Sequence, residues 1–276
     1  MRYTIAVNGL SGVFDLGLRL FRNNARAALL VGLLLSLPGL LATGLELMDS
    51  DLLGGTVLLG GDTLDDAMTP SPPGTPELPD MPGGMPTPPT LTLKSFLSIA
   101  ITLVQAFLLF PISSGALVLL YTADLFGESM TWRDAVRQAW QRKAALCTAM
   151  ALSTLYIILG MLLIVLGVYF ALRFTLIYQA VILEKADPRT ALRRSGVLMK
   201  SHYMTALALV LLMWGLSIGV VIGVSTTASP LVAGLVQWVA EAGAMCAVTA
   251  CYTALYFSAR HKHEGFALRQ ASPPSA

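Results

Sequence analysis

Residues 144–184 read AALCTAMALSTLYIILGMLLIVLGVYFALRFTLIYQAVILE, with Arg142 and Lys143 before them and Lys185 and Arg189 after. As one helix this stretch would be about 60 Å long, twice the ~30 Å of a bilayer's hydrocarbon core. Basic residues collect on the cytoplasmic side of membrane proteins, so both ends belong on that face and the chain must cross an even number of times. Two helices, 144–162 and 164–184, joined by a tight apolar turn near Gly160 to Gly167, meet that condition.

Outward from this hairpin, four more apolar runs are long enough to span: 25–47, 95–121, 204–224 and 231–258. Pro111 marks a kink in the second of the six. The run at 25–47 is too long for a signal peptide and no small-residue cleavage site closes it. The composition agrees: 55% of residues are hydrophobic and 12% charged, against roughly 25% charged in soluble domains. That excludes a disordered chain, a coiled coil and an ordinary cytosolic enzyme. Cys147, Cys246 and Cys251 lie in apolar runs without a C-x-x-C pair and read as small core hydrophobes.

The segment 48–92 breaks the pattern, with seven acidic residues, no basic ones and nine of the fifteen prolines. It reads as an extended acidic loop outside the membrane. Asp62, Asp65 and Asp66 lack calcium-loop spacing and read as solvated. Three segments, 10–24, 131–143 and 187–202, read instead as basic amphipathic helices on the inner leaflet. The first carries Arg19 and Arg22 outside a stripe of Leu10, Val13, Phe14, Gly17, Leu18 and Phe21. The second has a capping box, Thr131 with Asp134, an apolar stripe of Trp132, Val136 and Trp140, and the charges Arg133 and Arg137. The third begins at Asp187-Pro188, an N-cap followed by proline at the first helical position, and carries Arg189, Arg193 and Arg194.

The expected architecture is therefore all-α: a single membrane domain over 1–276, a polytopic bundle of six transmembrane helices plus three cytoplasmic-side interfacial helices, with both termini cytoplasmic. In this arrangement sixteen of the eighteen Lys and Arg residues face inward, Lys94 and Arg173 being the exceptions. Each interfacial helix leads into a pair of spans. Gly17-Leu18-Arg19, Ala135-Val136-Arg137 and Ala191-Leu192-Arg193 each give small, apolar, Arg, which reads either as a threefold internal repeat or as basic amphipathic helices alike by composition alone.

Two stretches carry a family resemblance: RFTLIYQAVILEKADPRTALRRSGVLMK (173–200) and LYFSARHKHEGFAL (255–268). Both resemble a bacterial family of six-span proteins related to the membrane domain of glycerophosphoryl diester phosphodiesterase. The pattern of that family matches Arg173, Glu184 and Ala191-Leu192-Arg193-Arg194-Ser195, then Tyr256, Arg260 and Glu264-Gly265-Phe266. Gly196 stands where the pattern has Trp, and Ser258 and Ala267 where it has Asp. The resemblance implies a fold and a bacterial cytoplasmic membrane more than an activity. The phosphodiesterase label does not transfer, since no soluble stretch of the ~200 residues that a catalytic barrel needs is present.

Three polar residues fall near mid-plane on a straight-helix count: Arg173, eleven residues before Glu184; Glu241, ten after Leu231; and Gln105, eleven after Lys94. An unpaired charge there costs at least ~3 kcal/mol, so an internal Arg173–Glu241 pair assisted by Gln105 is expected; the competing reading is a polar pathway. Gly215, Gly219 and Gly223 form G-x-x-x-G-x-x-x-G, a face for close helix packing within the chain, or else for a homodimer. His261, His263 and Glu264 are interleaved with Arg260 and Lys262 and read as a basic flanking tail rather than a metal site. No catalytic motif, cofactor loop or nucleic-acid-binding motif appears. The expected function is a non-enzymatic membrane scaffold or partner subunit; the alternative is a transporter or lipid-handling protein using the polar cluster. Expected partners are the bilayer, anionic lipid headgroups, and another protein or a second copy.

Overall fold

The structure, a computed structural model, describes residues 9–59, 93–225 and 230–265. They form α1 (Leu10–Leu59), α2 (Leu93–Val104), a π-helical turn (Gln105–Leu109), α3 (Phe110–Phe126), α4 (Trp132–Gln141), α5 (Lys143–Met161), α6 (Ile164–Arg173), α7 (Ile177–Leu183), α8 (Pro188–Met199), α9 (Tyr203–Ser225) and α10 (Pro230–Glu264). Among the described residues there is no strand. Six segments are long and apolar enough to cross a membrane: Leu10–Ala42, Phe96–Phe126, Lys143–Met161, Ile164–Leu183, Tyr203–Gly223 and Val232–Glu264. The chain is thus an all-α, multi-pass helical membrane protein. Its apolar surface fits lipid and not water: Leu162, in the turn between α5 and α6, is 87% exposed, with Leu163, Ile164 and Val165 exposed beside it.

The hairpin read from residues 144–184 is present, and its turn is tighter than apolar bulk would allow. A Cβ on Gly160 would lie 3.0 Å from the Gly167 backbone nitrogen. The kink expected at Pro111 takes the form of the π-helical turn just before it. Proline has no N–H to give the carbonyl four residues back and its ring crowds that carbonyl, so the ladder is interrupted in the preceding turn. Thr131 caps α4, its hydroxyl accepting from the Asp134 N–H at 3.3 Å and donating to the Asp134 carboxylate at 2.6 Å. Asp187 holds the N-cap position of α8 with Pro188 after it, but its side chain makes no capping bond.

Three boundaries differ from the sequence reading. Residues 10–24 are not a separate interfacial helix; they continue without a break into the first span. The reason is packing: Val13, Leu16, Gly17 and Leu20 are buried, and this face runs along α10. Helix α1 also continues to Leu59, past residue 48 where an extended loop was expected. The proline-rich run and Asp62, Asp65 and Asp66 lie outside the described residues. At the other end, the basic tail as far as Glu264 is part of α10.

Close helix approach occurs through glycines other than those expected. A Cβ on Gly17 would lie 2.7 Å from the Cys251 Cα, and one on Gly32 2.8 Å from the Cys246 Sγ. Glycine and cysteine side chains are small enough to let the α1 and α10 backbones meet. The glycines of α9 do not bring in a close helix neighbour among the described residues: a Cβ on Gly215 or Gly219, and one on Gly223, would meet no described atom within 4 Å. Polar ties hold the same core: Tyr121 donates to the Cys246 carbonyl at 2.9 Å and Trp238 to the Ser36 carbonyl at 3.2 Å.

Candidate functional site

The segment between α6 and α7 decides where Arg173 goes. The helix breaks at Phe174–Leu176, freeing backbone groups that a membrane interior cannot leave unpaired. Ser195, fully buried on α8, closes the gap. Its hydroxyl accepts from the Leu176 N–H at 3.2 Å and donates to the Arg173 carbonyl at 2.7 Å. This pins α8 against the break. The Arg173 side chain then runs over Gly196, where a Cβ would stand 2.5 Å from its Nε. Its guanidinium donates to the Tyr169 hydroxyl at 3.2 Å and lies 5.9 Å from that ring's centre. The Nε is buried without a partner.

Around it is a pocket of about 550 Å³ lined by Leu152, Tyr156, Phe170, Arg173, Phe174, Arg189, Leu192 and Arg193. Three guanidinium groups therefore share one concavity whose remaining walls are apolar. No carboxylate pairs with any of the three among the described residues. Arg189 and Arg193 are one helical turn apart on α8, a like-charge spacing that destabilises a helix by ~0.2–0.5 kcal/mol unless an anion intervenes.

The next residue, Arg194, does the opposite. Its Nε donates to both Glu184 oxygens, at 2.9 and 3.0 Å, and its guanidinium also bonds Glu264. Tyr256 donates to Glu184 at 2.7 Å and Arg260 to Glu264 at 2.9 Å. Two acids, two arginines and a tyrosine thus join the C-terminal ends of α7 and α10 to the middle of α8. Arg194 had been expected to face headgroups; instead it fills this clamp. Glu184, Tyr256, Arg260 and Glu264, quoted above from two distant stretches, meet here, which sequence separation alone does not reveal. Beside the clamp, the His263 ring nitrogen Nε2 is 3.1 Å from the Ser201 hydroxyl. Half-buried His202 has its imidazole pKa lowered, first by burial and then by the nearby Lys262 and His263.

A larger cavity of about 680 Å³ opens between α3, α5, α6, α7, α9 and α10. Three of its hydroxyls are spent on their own helices. Ser153 bonds the Met150 carbonyl at 2.9 Å, Thr175 that of Ala171 at 3.1 Å and Thr249 that of Met245 at 2.8 Å. Back-bonding of this kind leaves an effectively apolar wall. Among the polar groups of the lining are Gln179, 2% exposed with its side-chain oxygen unpartnered, and the Glu241 carboxylate.

The expected cluster of Arg173, Glu241 and Gln105 is not assembled. Arg173 lies in the basic pocket, and Glu241 accepts from Gln237 one turn away at 2.9 Å and faces the large cavity. Gln105 packs beside Gly39 of α1, its oxygen buried and unpartnered. The count of residues from a membrane edge assumed straight helices; the break after Arg173 invalidates it for that residue. The remaining interfacial arginines, Arg19, Arg22, Arg133, Arg137, Arg189 and Arg193, are exposed. Arg19 pairs with Asp15 at 2.8 Å. Gln179 and Ser195 went unread as site residues. A glutamine inside YQAVIL was the available signal for the first; for Ser195 it was only its place in the motif.

Fold and cavities together define a class: a helical membrane protein with a lateral apolar cavity and a separate basic pocket. No protein-family model matches the chain, and neither a curated protein nor a solved structure matches it.

Proposed function

We propose that this protein is a non-enzymatic, lipid-handling component of a bacterial cytoplasmic membrane that holds an amphiphile in the 680 Å³ cavity. The carrying observation is the cavity itself. Its size falls in the 300–1,000 Å³ range of small-molecule sites. Its wall is apolar, and Gln179 and Glu241 supply acceptors for a hydroxyl- or amine-bearing head. Both termini face the cytoplasm, as the distribution of basic residues requires. The resemblance to the phosphodiesterase membrane domain fits a lipid-facing role.

The test is native mass spectrometry of the protein released from its own membrane. A co-purifying lipid is expected, and Ser217→Phe, which fills the cavity from α9, should remove it. An unchanged lipid complement in Ser217→Phe would sink the reading. A partner-subunit role stands second, and the same purification would reveal it as a stoichiometric second polypeptide. Orientation is checked by cysteine labelling at Thr75 and Ser272: the first should react only from outside, the second only from the cytoplasm.

A further inference from the structure

We infer that the pocket formed by Arg173, Arg189 and Arg193 is a discrete site for the phosphate headgroup of an anionic membrane lipid. This goes beyond occupancy of the large cavity, because the pocket lies against α8 and is lined by its own cationic residues.

Three observations carry the inference. The first is charge without compensation: three guanidiniums line one concavity and none has a carboxylate partner among the described residues. Neighbouring Arg194, by contrast, has two. A cluster of cations at a membrane surface is stabilised by an anion, and planar guanidinium forks match phosphate oxygens. The second is an unused donor. The Arg173 Nε is buried and bonded to nothing, although its carbonyl and terminal nitrogen are both engaged. Gly196 makes that placement feasible, since any Cβ would occupy the space of the Nε. The third is the wall. Tyr156, Phe170 and Phe174 cluster along the pocket, with ring centres 5.8–6.0 Å apart and the two Phe rings stacked. They offer an apolar surface to an acyl chain directly beside the cations, which a site for a free aqueous anion would not need. Diffuse attraction of basic helices to anionic lipid requires none of this geometry.

The experiment uses the full chain in nanodiscs of phosphatidylcholine with phosphatidylglycerol, and counts retained lipids by native mass spectrometry. One phosphatidylglycerol should be held per chain in preference to phosphatidylcholine. Arg189→Gln with Arg193→Gln should lower that preference about 30-fold, from about 1 kcal/mol per basic residue. Gly196→Ala keeps both of those arginines and should weaken retention by displacing Arg173. The control is Arg133→Gln with Arg137→Gln on α4, also exposed, which should leave the single retained lipid in place. If the α4 pair reduces retention as much as the α8 pair, the attraction is diffuse and the site does not exist. Saturable binding of inorganic phosphate in phosphatidylcholine nanodiscs, lost in the α8 double variant, would also overturn the lipid assignment. Loss of cavity lipid in Ser217→Phe with this site intact would separate the two readings.

Discussion

Arg193 and Arg194 are consecutive residues of one helix, yet they do different physical work. Arg193 is exposed and lines a pocket whose charges are all positive. Arg194, rotated about 100° around α8, is partly buried between Glu184 and Glu264. One face of α8 therefore holds the bundle together, and the other offers uncompensated charge to something outside the chain. A basic amphipathic helix is not a uniform object, and the acids brought to it by other helices decide which arginines are structural.

The strongest challenge to this contrast is Glu184→Ala. It deletes the acceptor of both bonds from the Arg194 Nε and of the Tyr256 hydroxyl. Thermal unfolding in detergent should show a loss of about 3 kcal/mol, since a partly buried guanidinium loses one of its two carboxylates. Next comes the direct pair. Arg194→Gln should cost about 2 kcal/mol, whereas Arg193→Gln should stay within about 0.5 kcal/mol. Equal losses for the two would erase the distinction between the faces.

Ser195→Ala sharpens it from a third direction. The substitution leaves all charges in place but unpairs the Leu176 N–H at the α6–α7 break. A cost of about 1–2 kcal/mol is expected in the same unfolding assay. Faster amide exchange at Leu176 should accompany it, with the clamp intact.

The smallest effect is a pH dependence confined to the clamp side. His202 has its pKa held below the usual imidazole value of 6.5 in the fold. The unfolded chain therefore binds this proton more readily, and stability is lost as pH falls through 6.5. His202→Gln should flatten that part of the stability profile, while Arg189→Gln should leave it unchanged.

Some of this was readable from residue order. The hairpin at 144–184 follows from length and flanking charge, and Thr131 with Asp134 fixes the start of α4. Other features were not. The amphipathic stripe of residues 10–24 has the same periodicity whether it lies on lipid or on a neighbouring helix, and only the contact of Gly17 with Cys251 tells the two apart. The G-x-x-x-G pattern of α9 promised close packing that Gly17 and Gly32 supply instead. Arg173 and Glu241 matched in counted depth, but a break of three residues after Arg173 turned its side chain toward α8.

The sequence by itself determined the solvent of this protein, its helical class and its six spans. Those follow from how apolar a stretch is, how long it is and where the charges flank it, all properties of contiguous residues. Tertiary structure alone decided which charges meet. Arg194 reaches Glu264 across seventy positions, and Arg173 joins Arg189 and Arg193 only because Ser195 holds α8 against a broken helix. A helix break and the seating of α8 against it set those meetings, and neither has a local signature in the composition of the residues they bring together.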